Sequence, residues 1–224
     1  MNVYVKDPQQ PAQACMIWMH GLGADANDMV GVANQLRLTA PVRHVFMDAP
    51  VRNVTINNHM PMRAWYDIVG TTLTSREDRE GILQSQGLIR DVINQQIEAG
   101  FQSSQIFLAG FSQGGAMALF SAVNSQTPLA GVIALSAYLP LFSECQSILH
   151  KETPVFMAEG RFDPIVLPDW TASACRWLRS SGFEHVAYHQ YPMEHSICIE
   201  EIRDLVSWLN PKLSRMAQSN GVTS

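Results

Sequence analysis

The sequence predicts an α/β fold, a mostly parallel central sheet flanked by helices on both faces. Three observations carry that prediction. Short runs such as Ala14–Met19 and Ile106–Ala109 are continuously apolar rather than alternating, as strands buried on both faces are. Longer amphipathic stretches separate these runs and close at Gly or Pro. Glycine-rich segments sit where a strand gives way to a helix, which is where such sheets gather their chemistry.

Taken in order, Val3–Lys6 reads as a short strand that ends in the turn formers Asp7-Pro8. Ala14–Met19 is a buried strand that runs into the glycine-rich loop His20-Gly-Leu-Gly-Ala-Asp25. A helix over about 27–38 follows, with Met29, Val32, Ala33 and Leu36 on one face. Val42–Met47 is the next strand. Residues 52–70 break the rhythm, setting turn formers beside large apolar residues, and predict an irregular excursion or hairpin over one end of the sheet. Helix returns over 77–99, with Ile82, Ile89, Ile93 and Ile97 in a stripe and Gly100 as the stop. Strands are expected at 129–135, 154–158 and 186–191, and helices at 168–180 and 197–209, the last ended by Pro211. The polar stretch 212–224 is expected to fray as a flexible tail. No repeat, low-complexity tract or linker divides the chain, so one domain over 1–224 is expected.

Bulk properties narrow the function. Of the 224 residues, 46% are hydrophobic and 16% charged, with a formal charge of -5, enough to bury a large core. The basic residues are scattered, which argues against a nucleic-acid or anionic-membrane partner. Cys15, Cys145, Cys175 and Cys198 are widely spaced with no Cys-x-x-Cys pair. Reduced thiols in a cytoplasmic protein are therefore expected, with neither a disulfide framework nor a metal site. Met1–Pro8 has no charged segment leading into an apolar one, so no signal peptide is expected. The Ala14–Met19 run is too short to span a bilayer.

The sharpest feature is Gly110-Phe-Ser-Gln-Gly114, which joins an apolar strand-like run directly to an Ala/Leu-rich helical run. Gly-x-Ser-x-Gly alone is weak; between a strand and a helix it has a mechanism. So tight a turn strains the central residue and lifts its hydroxyl clear of the sheet, while Gly110 and Gly114 relieve the crowding. Ser112 as nucleophile needs an imidazole base and a carboxylate to fix the imidazole's tautomer. Asp163 lies just past the strand at 154–158, and His195 just past the last strand, completing the chain order Ser, Asp, His. Asp163 could alternatively be a plain turn residue before Pro164. Asp169 reads as a first-turn helix residue, favoured there by the dipole. His185 and His189 lie at or within the last strand and point sideways from the sheet, whereas His195 can swing over Ser112. Cys198 has no elbow to present it and reads as a small apolar residue. An oxyanion hole needs two backbone donors. Gln113 supplies one at the new helix's N-terminus, and Leu22 in the first glycine-rich loop is the expected second.

These pieces resemble the carboxylesterase/phospholipase family of α/β-hydrolases that includes the acyl-protein thioesterases. The matching segments are Trp18-Met-His-Gly-Leu-Gly-Ala-Asp25, Arg63-Ala-Trp-Tyr-Asp-Ile68, Ile106–Leu119, Leu135-Ser-Ala-Tyr-Leu139, Gly160-Arg-Phe-Asp-Pro164 and His195-Ser196. They run in family order from about Met16 to Leu209. The resemblance implies Ser112, Asp163 and His195 as the triad, and Leu22 and Gln113 at the oxyanion hole. It implies hydrolysis of small or lipid-like acyl esters, with S-acylated proteins or lysophospholipids as further substrates, no cofactor, and weak dimerisation. It also implies a shallow acyl groove, expected here over 54–73. Met60, Met62, Trp65 and Tyr66 within that stretch are either acyl contacts or core. Arg161-Phe162 departs from the family pattern, leaving the triad intact but altering the rim of the site. A non-catalytic binding protein on the same fold is the alternative of a different class.

Overall fold

A computed structural model of the protein describes residues 1–70, 76–145 and 150–220. Among these residues, nine strands form two sheets. The large one contains β1 (Val3–Lys6), β2 (Ala14–Met19), β3 (Val42–Met47), β6 (Ile106–Phe111), β7 (Gly131–Leu135), β8 (Val155–Gly160) and β9 (Val186–Tyr191). The small one is a hairpin of β4 (Val51–Val54) and β5 (Met60–Arg63). The α-helices are α1 (Ala26–Ala33), α2 (Arg79–Glu98), α3 (Gln113–Val123), α4 (Pro168–Ser180) and α5 (Ile199–Asn220).

The large sheet runs β1-β3-β2-β6-β7-β8-β9 and is parallel apart from β1. Strands β2, β6, β7 and β8 are buried along their length, apart from partly exposed Phe111, because helices cover both faces. One face packs Ile17, Leu108 and Met157 of the sheet against α2, α3 and α4 residues such as Ile89, Met117 and Leu178. The other packs Trp18, Phe107 and Phe156 against Met29 of α1 and Leu205 and Leu209 of α5. The strand order reverses between β2 and β6. The loop after β2 leads to a helix on one face and the loop after β6 to a helix on the other, the kind of divergence beside which open α/β sheets bind their ligands.

Several elements differ from expectation at their ends. Helix α1 stops at Ala33 rather than near residue 38. Its last turn tightens, Gln35 N–H and Leu36 N–H bonding to the carbonyls three residues back, on Val32 and Ala33. The excursion after β3 takes the second of its two expected forms, a hairpin, and residues 71–73 of the 54–73 stretch expected to carry the acyl groove lie outside the described residues. The expected stop at Leu209 and fraying tail from Lys212 are corrected: α5 continues to Asn220 with Pro211 inside it. A proline there costs about 3 kcal/mol in an isolated helix. Here Leu209 and Leu213 are both fully buried, Asn210 accepts from Thr39 N–H, and Lys212 lies 4.0 Å over the Trp208 ring. Those tertiary contacts hold the helix past the break; residues 221–224 lie outside the described residues.

Candidate active site

Ser112 joins β6 to α3 with φ 54° and ψ -121°, a conformation that residues other than glycine rarely tolerate. The turn has no room for side chains around it. A Cβ on Gly110 would collide with the backbone of Gly114 and Gly115, and one on Gly114 with the carbonyls of Met19 and His20. The strain is held by neighbouring structure: Ser112 N–H donates to Leu135 O at 2.8 Å, and Ser112 O accepts the first helical bond, from Ala116 N at 2.9 Å. Tertiary fixation of this kind is what allows an unfavourable φ to persist.

The loops after β8 and β9 bring the other two residues to it. His195 Nε2 lies 2.9 Å from Ser112 Oγ, and His195 Nδ1 lies 2.6 Å from Asp163 Oδ2. An ionised carboxylate only accepts, so Nδ1 carries the proton and Nε2 is left to accept from the serine. Asp163 is fully buried in its side chain, while His195 keeps 18% exposure. The other carboxylate oxygen, Oδ1, accepts from the N–H groups of Ile165 and Val166. Asp163 is thus both the turn former and the partner of His195, so the two sequence readings of it coincide. Phe111 packs on the imidazole with ring centroids 4.7 Å apart. Gly160 at the end of β8 is the unforeseen spacer. A Cβ there would meet the carbonyls of Met193 and Glu194, so its absence lets the His195 loop close down on β8.

Gln113 directly follows Ser112 in the chain, and Leu22 directly follows Gly21 in the first loop. A Cβ built on Gly21 would be 3.5 Å from Ser112 Cβ, so the first loop lies directly against Ser112. Neither Leu22 N–H nor Gln113 N–H donates to an acceptor among the described residues, which leaves both amides available. The Gln113 side chain has a role the sequence did not signal: Oε1 accepts from Trp65 N–H and Nε2 donates to Tyr66 O, each at 2.8 Å. The indole N–H of Trp65 in turn donates to His20 O at 2.9 Å.

That network corrects the reading of two candidate acyl contacts. Trp65 and Tyr66 are core residues, 0% and 2% exposed, and the Tyr66 hydroxyl is 2.9 Å from that of Tyr138. Backbone pairing to Gln113 pulls this segment under the elbow instead of leaving it as a groove floor. Met60 is exposed on the hairpin and Met62 half-buried beside Gly23. The rivals stand apart from Ser112. Asp169 is in the first turn of α4, His189 stacks on Phe156 within β9, His185 O pairs with Val155 N–H, and Cys198 Sγ accepts from Glu201 N–H at the start of α5. The four cysteines are free thiols.

Residues 1–213 match the family model described as phospholipase/carboxylesterase. The chain belongs to that family. A relative from Neurospora crassa named acyl-protein thioesterase 1 is 35% identical, the match covering 92% of this chain and 90% of the relative. One of the same name from Yarrowia lipolytica is 32% identical, over 93% and 96%. Among solved structures, Arabidopsis thaliana SOBER1 is 28% identical with a TM-score of 0.82, covering 89% of this chain and 99% of that one. Zea mays acyl-protein thioesterase 2, at 23% identity and a TM-score of 0.81 over 95% and 99%, shares the fold. The fold is that of the α/β-hydrolases.

Proposed function

We propose that the chain is a serine hydrolase that cleaves acyl esters through an acyl-enzyme on Ser112. The observation that carries this reading is the continuous hydrogen-bonded chain from Asp163 through His195 to Ser112, set on a strained elbow. In the reaction, His195 Nε2 takes the hydroxyl proton as Ser112 Oγ attacks the acyl carbon. Leu22 and Gln113 N–H groups hold the oxyanion, and Asp163 stabilises the imidazolium. Collapse expels an alcohol or thiol that leaves with the proton from His195. Water then attacks the acyl-enzyme with His195 again as base, releasing the acid and restoring Ser112. Turnover of a p-nitrophenyl ester tests the assignment. Ser112→Ala is expected to lose on the order of 10⁵- to 10⁶-fold in kcat, as triad serines do. A variant that kept most of the activity would refute it.

The substrate reading is carboxylic esters of short to medium acyl length, with thioesters as the second class. The relatives' name favours an S-acylated protein for the latter. Long acyl groups need an apolar surface beside Ser112. The loop that bears Asp163 exposes Phe162 (66%), Ile165 and Leu167. A groove of about 220 Å³ between the β7 loop and α4 is lined by Tyr138, Leu139, Phe142, Trp170, Ser173 and Ala174. A chain-length series from acetyl to palmitoyl, run as oxygen esters and thioesters, separates the classes; a flat profile would exclude an acyl groove. Fluorophosphonate labelling distinguishes hydrolase from binding protein, since a binder would give no adduct at Ser112. No helix among the described residues is long and apolar enough to cross a membrane, and a cytoplasmic location with free thiols is part of the proposal. So is weak self-association of a single-domain chain, which sedimentation over a concentration series tests.

A further inference from the structure

Buried in the loop between β2 and α1, His20 touches neither Asp163 nor Ser112 in the hydrogen-bonded chain, yet both its ring nitrogens are engaged. It is 0% exposed. Its Nε2 receives the backbone N–H of Ala49 at 3.0 Å. A backbone amide can only donate, so Nε2 carries the lone pair and the proton sits on Nδ1. That Nδ1–H faces the carbonyl oxygen of Gly21 at 2.7 Å, so it donates there. The tautomer is set by its neighbours, and burial lowers the imidazole below the usual histidine range, which agrees with a neutral ring. The indole N–H of Trp65 fixes the His20 carbonyl, and the two rings lie 5.7 Å apart.

The carbonyl that His20 holds belongs to the same peptide unit as Leu22 N–H. In a planar trans peptide those two groups point in opposite directions. Pinning Gly21 O on the protein side, with help from Ala24 N–H at 3.2 Å, therefore turns Leu22 N–H the other way. Gly21 lies against Ser112 Cβ and the Phe111 ring, at 3.5 and 3.4 Å from a built Cβ, so this peptide passes beside the nucleophile. The next amide, Gly23 N–H, is already taken by Arg63 O.

We propose that His20 is a positioning residue that aims Leu22 N–H at the oxyanion, through its Nδ1–H bond to the Gly21 carbonyl. The proposal rests on the serine-hydrolase reading above. Because the aimed group contacts charge that exists only in the transition state, His20 acts on kcat rather than on ground-state binding. Its connection through Trp65 to the Gln113 side chain puts both oxyanion amides on one buried frame.

The test compares three substitutions in the full chain. The side-chain amide of Asn reaches as far as Nδ1, and that of Gln as far as Nε2. His20→Gln and His20→Ala are expected to lose roughly 100-fold in kcat, the scale of one missing oxyanion donor. KM should stay within about threefold, and affinity for a trifluoromethyl ketone should fall by the same factor as kcat. His20→Asn, which can still donate to Gly21 O, is expected to retain most of the rate. Equal losses in Asn and Gln variants would overturn the proposal, as would loss of kcat without loss of analogue affinity. If these variants fail to fold, nitrogen-15 NMR of the wild-type imidazole decides the matter. A proton on Nδ1 with a bare Nε2 supports the inference, and the opposite tautomer or a cation at pH 7 refutes it. Ser112→Ala is run alongside: activity surviving that change sinks the hydrolase assignment, whereas silent His20 variants beside a dead Ser112→Ala sink only the role of His20.

Discussion

Gly160→Ala should disable the enzyme without touching a reacting group. Gly160 ends β8, and the loop bearing His195 rests on it, with Arg161 N–H bonded to Tyr191 O and Phe162 N–H to Met193 O. A methyl there would stand 3.0 Å from the Met193 carbonyl carbon and closer still to the oxygens of Met193 and Glu194. Carbon contacts relax at about 3.5–4.0 Å, so the loop must retreat by roughly 1 Å. The atoms are backbone, and no side chain can swing aside to absorb the change. His195 Nε2 now sits 2.9 Å from Ser112 Oγ, and a retreat of that size breaks the bond on which the proposed activation of Ser112 depends. Misplacement by about 1 Å costs on the order of 100-fold in rate, close to 2.7 kcal/mol of barrier. Overpacking also costs about 1–3 kcal/mol of stability. The assay is kcat/KM on a p-nitrophenyl ester, with Tm measured beside it. Gly182→Ala serves as control: Gly182 holds φ 95° after α4, so alanine there lowers Tm through backbone strain and leaves the rate alone. A folded Gly160→Ala enzyme with wild-type kcat/KM would refute the reasoning.

Asp163→Asn keeps the acceptor for Ile165 and Val166 N–H but presents an NH₂ to His195, forcing the proton onto Nε2; kcat should fall on the order of 10³- to 10⁴-fold with Tm little changed. Burial, with the Lys6 charge second, pushes the His44 imidazole down to about 4, and its Nδ1 accepts from Trp18 Nε1–H. The unfolded chain then takes up a proton that the folded one refuses, so stability is lost as pH falls from about 6.5 to 4, by about 3 kcal/mol at most. Urea unfolding of His44→Asn, which keeps an acceptor for Trp18, should lack that part of the slope. Glu201 has the opposite sign. It is fully buried, and burial, only partly offset by the Cys198 backbone N–H, pushes it up to about 8. Its neutral form favours folding at low pH, and that contribution drains away as pH rises from about 4.5 to 8, by a few kcal/mol. Glu201→Gln should flatten the decline; an unchanged pH slope would show that Glu201 ionises freely in the folded protein.

Strand and helix identities were legible wherever a local signal was strong. Residues 42–47 and 186–191 are short runs rich in β-branched, apolar and aromatic residues with Pro at one boundary, and 168–180 opens on Pro168 and closes before Gly182; those bounds match β3, β9 and α4. The end of α5 was not legible, because Pro211 is a local stop signal and the forces that override it are contacts with Thr39 and the core. Trp65 and Tyr66 were equally ambiguous from composition. Burial was decided by the Gln113 side chain, 47 or 48 residues away in sequence.

By itself the sequence determined a mostly parallel α/β architecture and which serine, aspartate and histidine lie at the strands' ends, because periodicity and turn chemistry are local properties; the α/β-hydrolase family came from the resemblance of its motifs. Only the tertiary structure decided the spacing: that Gly160 must be bare for His195 to reach Ser112, and that His20 holds the Gly21 carbonyl. Both depend on backbone from distant segments meeting at one site. No window of neighbouring residues encodes which carbonyl will lie against a missing side chain.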